Sequence, residues 1–338
     1  MGALFFAELP KTMSRPRFLP DNFTLTLMAT VALASLLPAT GHFAAYMEYA
    51  TTAIVSVLFF LHGAKLSRQA IWAGIGHWKL HLWIFLATFV MFPLLGLGLR
   101  PVLEPLVTPE MYIGVLFLCA LPATVQSAIA FTSIARGNVP AAVCSASAST
   151  FLGIVFTPIL VSLLLHKNAE SGGALQAIGK ISLQLLLPFI VGHLLRPVIG
   201  GFLTRRASII KLVDQGSILF VVYSAFSAAV ISGLWKQTPL PALFGLIALC
   251  CILLAVVLAI TTFGARRLGF SKEDEITLVF CGSKKSMVSG IPMANVLFAS
   301  SAVGAVVLPL MLFHQIQLMV CAVMAQRYAK RAQSIAQE

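Results

Sequence analysis

Residues 280–298 read FCGSKKSMVSGIPMANVLF and lie inside a longer apolar run, residues 273–298. Near the start, Gly282-Ser283-Lys284-Lys285-Ser286 sets two ammonium groups among small residues, midway along what would otherwise be one oily helix. A lysine at the centre of a bilayer span costs roughly 2.5–3.5 kcal/mol on insertion scales. No acidic residue lies nearby in sequence to offset either one. If the span began only after Gly282, the lysines would sit in a loop beside Lys272, but residues 276–281 would then be a stranded apolar hexamer. The alternative is a broken helix at membrane depth. Unpaired backbone groups there must be satisfied by protein or a wet cavity, so such a break marks a built site.

A second interruption, PATVQS at residues 122–127, falls inside the apolar run 109–135. Working outward, apolar runs cover residues 23–38, 46–66, 81–99, 109–135 and 139–165, then 175–200, 212–235, 240–264, 273–298 and 302–326. Most are close to the roughly 20 residues that a bilayer span requires. The two sets of five are separated at residues 166–173 by the most linker-like stretch of the chain. Five spans per half is odd, so a duplicated half must sit upside down, as in the inverted repeats of many secondary transporters. Both interrupted spans are fourth in their half. The fifth and tenth share a spacing, Gly153 with Pro158 and Gly304 with Pro309, preceded by Ser149, Thr150 and by Ser300, Ser301. The expected fold is an all-α membrane protein of about ten transmembrane helices in two inverted five-helix repeats.

With 59% hydrophobic and 10% charged residues over 338 positions, the chain cannot present the surface of a soluble globular protein. The formal charge of +12 resides in the joints between spans rather than in one dense patch. That points to topology and anionic lipid headgroups, not to nucleic acid. With the N-terminus inside, the four basic residues Arg100, Lys167, Lys180 and Lys236 fall outside, against seventeen inside. This predicts residues 1–22 as a cytoplasmic segment, 23–326 as one transmembrane domain (repeats at about 23–165 and 175–326) and 327–338 as a cytoplasmic tail, in a bacterial inner (plasma) membrane. All six cysteines fall in apolar runs without metal-ligand spacing and read as buried hydrophobes.

Paired breaks mark the expected transport site, because half-helix N-termini attract anions and C-termini attract cations. Lys284 and Lys285 would act there as a built-in cation, an anion-binding charge or a proton carrier. Helix breaks are expected at Pro122 and Gly282. Further candidates are Thr124, Gln126, Ser127 and Thr132 in the fourth span, Ser149 and Thr150 in the fifth, Ser283, Ser286, Ser289 and Asn295 in the ninth, and His314 and Gln315 in the tenth. His62 and Gln317 read equally as interhelical hydrogen-bonding groups or as pathway lining. No metal-hydrolase, phosphate-loop or nucleophile-elbow motif occurs, so an enzyme lacks its residues.

The segments PATVQSAIAFTSIARGN (122–138), FCGSKKSMVSGIPMANVLF (280–298), FFLHGAKL (59–66) and FHQIQL (313–318) resemble the bile acid:sodium symporter superfamily. More narrowly, they are similar to its symporter-like branch, which includes solute carrier family ten member seven. The resemblance implies a core domain and a panel domain, with the fourth and ninth spans broken and crossing. Where sodium-coupled members carry a Glu, a Gln and an Asn that help ligate sodium, this chain has Phe280, Lys284 and Lys285. Two cations at that position repel a sodium ion. Ser149 and Thr150 match the family's ligand-bearing stretch before Thr157-Pro158, leaving a residual sodium site open.

The function expected is alternating-access transport of a small organic anion, with no cofactor and with sodium or a proton as the coupling ion. The alternatives are a sodium-coupled symporter of bile-acid-like or other anions, and a ligand-binding or regulatory membrane protein that moves nothing. Membrane lipids are the other expected partners, and oligomeric state stays open.

Overall fold

The computed structural model describes residues 22–65, 75–103, 106–165, 173–237 and 239–335. Most of the linker and most of residues 1–22 lie outside them. The described residues contain helices and no strand. The main elements are α1 (Asn22–Leu36), α2 (Gly41–Lys65), α3 (Trp78–Gly98), α5 (Val139–Leu164), α6 (Gly173–Arg205), α7 (Ala207–Ile231), α8 (Leu240–Arg267) and α10 (Ser300–Ile335). Between them lie two split helices, α4a (Pro109–Ala120) with α4b (Gln126–Ile134), and α9a (Lys272–Gly282) with α9b (Met287–Leu297). Among the described residues, seven helices are long and apolar enough to cross a membrane, and α4a is a shorter apolar helix. Exposed Leu36, Val198, Leu240 and Phe244 are at ease against lipid tails, not water.

Local chemistry explains where the helices start. Thr108 caps α4a by accepting from Met111 N–H at 3.4 Å, and Asn138 caps α5 by accepting from Ala141 N–H at 3.1 Å. Ser271 caps α9a by accepting from Asp274 N–H at 3.2 Å, with Glu273, Asp274 and Glu275 in the first turn facing the positive dipole end. The breaks are equally local. Leu121 is held extended (φ −75°, ψ 154°) by the proline that follows it, which ends α4a. In α9 the chain leaves helical geometry after Ser283. Ser286, extended at φ −87° and ψ 111°, restarts it by accepting from Ser289 N–H at 3.1 Å.

Packing sorts the helices into two groups. In one, α1 packs on α7 and α6 on α2, so the first helix of each half rests on the second helix of the other. A Cβ at Gly63 would overlap the Phe189 carbonyl, and one at Gly192 the Phe60 carbonyl, so α2 and α6 cross backbone to backbone. In the other group α4a packs on α10 and α9a on α5, the fourth helix of each half on the fifth of the other, with α3 and α8 alongside. Both pairings are what inverted repeats require. The groups are the panel and core expected above, joined chiefly by α7 against α10 and α9b and by α6 against α5.

Candidate functional site

The two breaks meet. Ser286 N–H donates to the Pro122 carbonyl at 2.9 Å, linking α9 to α4 at their interruptions. Each break is also pinned by the fifth helix of its own half. Ala123 N–H donates to Ser149 Oγ at 2.9 Å, and Lys285 N–H donates to Gln317 Oε1 at 3.0 Å. Gln317 Nε2 returns a hydrogen bond to the Lys285 carbonyl at 3.0 Å, and His314 Nδ1 lies 3.2 Å from that same oxygen.

A helix leaves its last four carbonyls without intrahelical partners, and here the last three and the two that follow can be traced one by one. Leu118 O accepts from Leu121 N–H, Ala120 O from Thr157 Oγ at 2.9 Å, and Pro122 O from Ser286. Cys119 O and Leu121 O accept from the ammonium of Lys285, at 2.8 and 2.7 Å. The third N–H of that ammonium goes to Thr88 O at 2.8 Å. Thr88 lies in a π-helical turn, Ala87–Met91, in which Phe92 N–H donates to Ala87 O. The next donor in that register would be residue 93, a proline with no N–H. The Thr88 carbonyl is thus left facing Lys285. An ammonium has three donors, and all three are met by carbonyls, two of them at the negative end of α4a. The Phe92 ring stands 4.1 Å away. Thr88 is ten residues from each end of α3, about 15 Å along the axis at 1.5 Å per residue. The lysine pair therefore sits at mid-helix, not in a boundary loop.

Lys284 is also 0% exposed but is held differently. Its ammonium makes one long hydrogen bond, to Ser127 O at 3.4 Å. It stands 3.8 Å from the Phe131 ring centre and 5.8 Å from that of Phe280, a pair of cation–π contacts. Among the described residues, neither lysine has an acidic partner; the ion pairs are Lys65 with Asp214, His77 with Asp274, and Arg266 and Lys272 with Glu275.

The other expected site residues divide. Ser283 donates to Val279 O at 2.6 Å, and Ser286 donates to Ser289 Oγ at 3.2 Å, all buried at the ninth-span break. Thr124 and Ser127 share a hydroxyl hydrogen bond of 2.8 Å at the start of α4b. Gln126 is exposed, Thr132 is buried farther along α4b, and Thr150 turns back to Ala146 O at 3.1 Å. Asn295 lies near the far end of α9b, bonded to Ile291 O at 3.0 Å, and Gln315 is half-buried beside His314. Gln317, read from sequence equally as an interhelical hydrogen-bonding group or as pathway lining, is the residue that grips Lys285. The Thr88 and Cys119 carbonyls had no signal of their own, since every residue carries one; the prolines at 93 and 122 were the only pointers.

A family model described as the SBF-like CPA transporter family matches residues 21–330. The chain is 68% identical over 319 residues to the uncharacterised protein PA2026 of Pseudomonas aeruginosa, covering 94% of this chain and 96% of that one. It is 57% identical over 315 residues to YfeH of Escherichia coli K12, whose name marks it as a candidate symporter, covering 93% and 95%. Sodium/bile acid cotransporter 7 of Xenopus tropicalis is 28% identical over 319 residues, covering 91% of each.

Proposed function

This chain belongs to the SBF-like CPA transporter family, an integral membrane transporter rather than an enzyme, and we propose that it moves a small organic anion by alternating access. The observation that carries this reading is the Lys285 ammonium held by three carbonyls at the crossing of the two broken helices. Three carbonyls, two of them at the end of a half-helix, make a cation site, and here the cation is covalently attached. Being part of the chain, this cation cannot be released as a free ion is, so the crossing requires no sodium ion. The adjacent Lys284, with one long hydrogen bond and no acid, is the charge to which an anionic solute is drawn. Ser283, Ser286, Ser289, Thr124, Ser127, Ser149 and His314 lie at the two breaks or on the helices that pin them. The basic-residue asymmetry supports an inner-membrane carrier with both termini in the cytoplasm.

A second reading, a sodium-coupled symporter, is favoured by the name of the amphibian relative and by the Ser149 and Thr150 hydroxyls near the α4 break. Uptake of organic anions into proteoliposomes, with and without a sodium gradient and across pH, separates the two. Uptake that continues without sodium and falls at least about tenfold in Lys284→Met is the expected result. Strict sodium dependence would sink the sodium-free crossing, and undiminished uptake in the variant would remove Lys284 from the site.

A further inference from the structure

At the seam between the two helix groups lies a cavity of about 510 Å³. It is walled by α2 (Glu48, Thr51), α6 (Gln184), α7 (Ser227), the end of α9b (Asn295) and the start of α10 (Ser300), and neither buried lysine reaches it. Its size lies within the range of small-molecule sites.

Two of its hydroxyls are buried and unpartnered. Thr51 is 6% exposed and Ser227 1%, and neither has a hydrogen-bond partner. Many helical serines and threonines return the hydroxyl to their own backbone, as Thr52 in the same wall does to Glu48 O and Thr261 to Val257 O. A buried hydroxyl left unpaired is unfavourable, and native interiors satisfy nearly all of them. At the mouth, Glu48 accepts from Ser300 Oγ at 3.1 Å, which orients the carboxylate and ties α2 to α10. Among the described lining residues Glu48 is the only charged one. An anion here would meet that carboxylate unopposed, whereas an ammonium or hydroxyl donor would be welcomed.

We propose that this cavity binds a small polyhydroxylated amine, its hydroxyls pairing with Thr51 and Ser227 and its ammonium with Glu48. The site is separate from the lysine crossing and does not depend on the anion-transport reading. The test is equilibrium binding to the full-length protein in detergent, without any gradient, using glucosamine, glucitol and gluconate. These are similar in size and all polyhydroxylated but carry a positive, zero and negative charge near neutral pH. Glucosamine is expected to bind tightest and gluconate weakest. Glu48→Gln is expected to weaken glucosamine about tenfold while leaving glucitol within about twofold. Thr51→Val and Ser227→Ala, each checked for an unchanged unfolding temperature, should weaken both glucosamine and glucitol several-fold. Gluconate binding tightest, no measurable glucosamine binding, or a Glu48→Gln variant with unaltered preference would each overturn the proposal. None of these results bears on uptake through Lys284, so the two readings fail separately.

Discussion

The breaks in α4 and α9 occupy equivalent places in the two halves, yet only the second carries formal charge. The α4 break is neutral and is made by Pro122; it supplies carbonyls at the negative end of α4a. The α9 break supplies the cation that fills them. Had both breaks carried lysines, two ammonium groups would repel; had neither, Cys119 O, Leu121 O and Thr88 O would need a free ion or water. Inverted duplication thus produced a crossing whose halves have become electrostatic complements. Within the α9 break a contrast recurs between neighbours, one lysine fully coordinated by carbonyls and the other held by one long hydrogen bond and two aromatic rings.

The coordinated lysine is where the comparison is most easily broken. Lys285→Met strips three buried carbonyls of their donor, and a loss of about 3–5 kcal/mol is expected, as when one partner leaves a buried pair. Thermal unfolding in detergent measures it, and an unchanged midpoint would show that the cage is not structural. Lys285→Ala sharpens the same point, because a vacated cage should accept a free cation. The variant, unlike the parent, should be stabilised by sodium chloride relative to choline chloride. Lys284→Met should cost less, about 1–2 kcal/mol, since only one long hydrogen bond and two ring contacts are lost. Its larger effect should be on uptake. Gln317→Ala removes both hydrogen bonds to the Lys285 backbone and should lower stability by about 1–2 kcal/mol. Smallest is Pro93→Ala, which restores an N–H able to reach Thr88 O. That competition should shift stability by no more than about 1 kcal/mol while reducing any sodium response of the Lys285→Ala variant.

Much of this was legible before any coordinates. Apolar runs locate the helices because lipid selects on side chains locally, and the α5 and α8 boundaries fall within about three residues of those expected. The breaks were legible because a proline and two lysines are the wrong residues for an oily helix. The fourth span was expected as one run broken at Pro122, and the chain forms two helices there, α4a and α4b, joined by that polar segment. Less legible was which polar residues would meet. Gln126 and Ser127 are neighbours, yet the first is exposed and the second offers its carbonyl to Lys284. Gln315 and Gln317 were equivalent in composition, and only helical phase directs the second toward the break. The unpartnered hydroxyls of Thr51 and Ser227 carry no mark in sequence at all.

Sequence alone determined that this chain lives in lipid, where its helices run and where two of them fail, because hydrophobicity and backbone satisfaction act over a few residues at a time. Which lysine became a caged charge was decided only in three dimensions. The carbonyls that hold Lys285 come from positions 197, 166 and 164 residues away. Nothing in the chemistry of Lys284-Lys285 distinguishes the first from the second until folding turns one toward the end of α4a and the other toward the rings of Phe131 and Phe280.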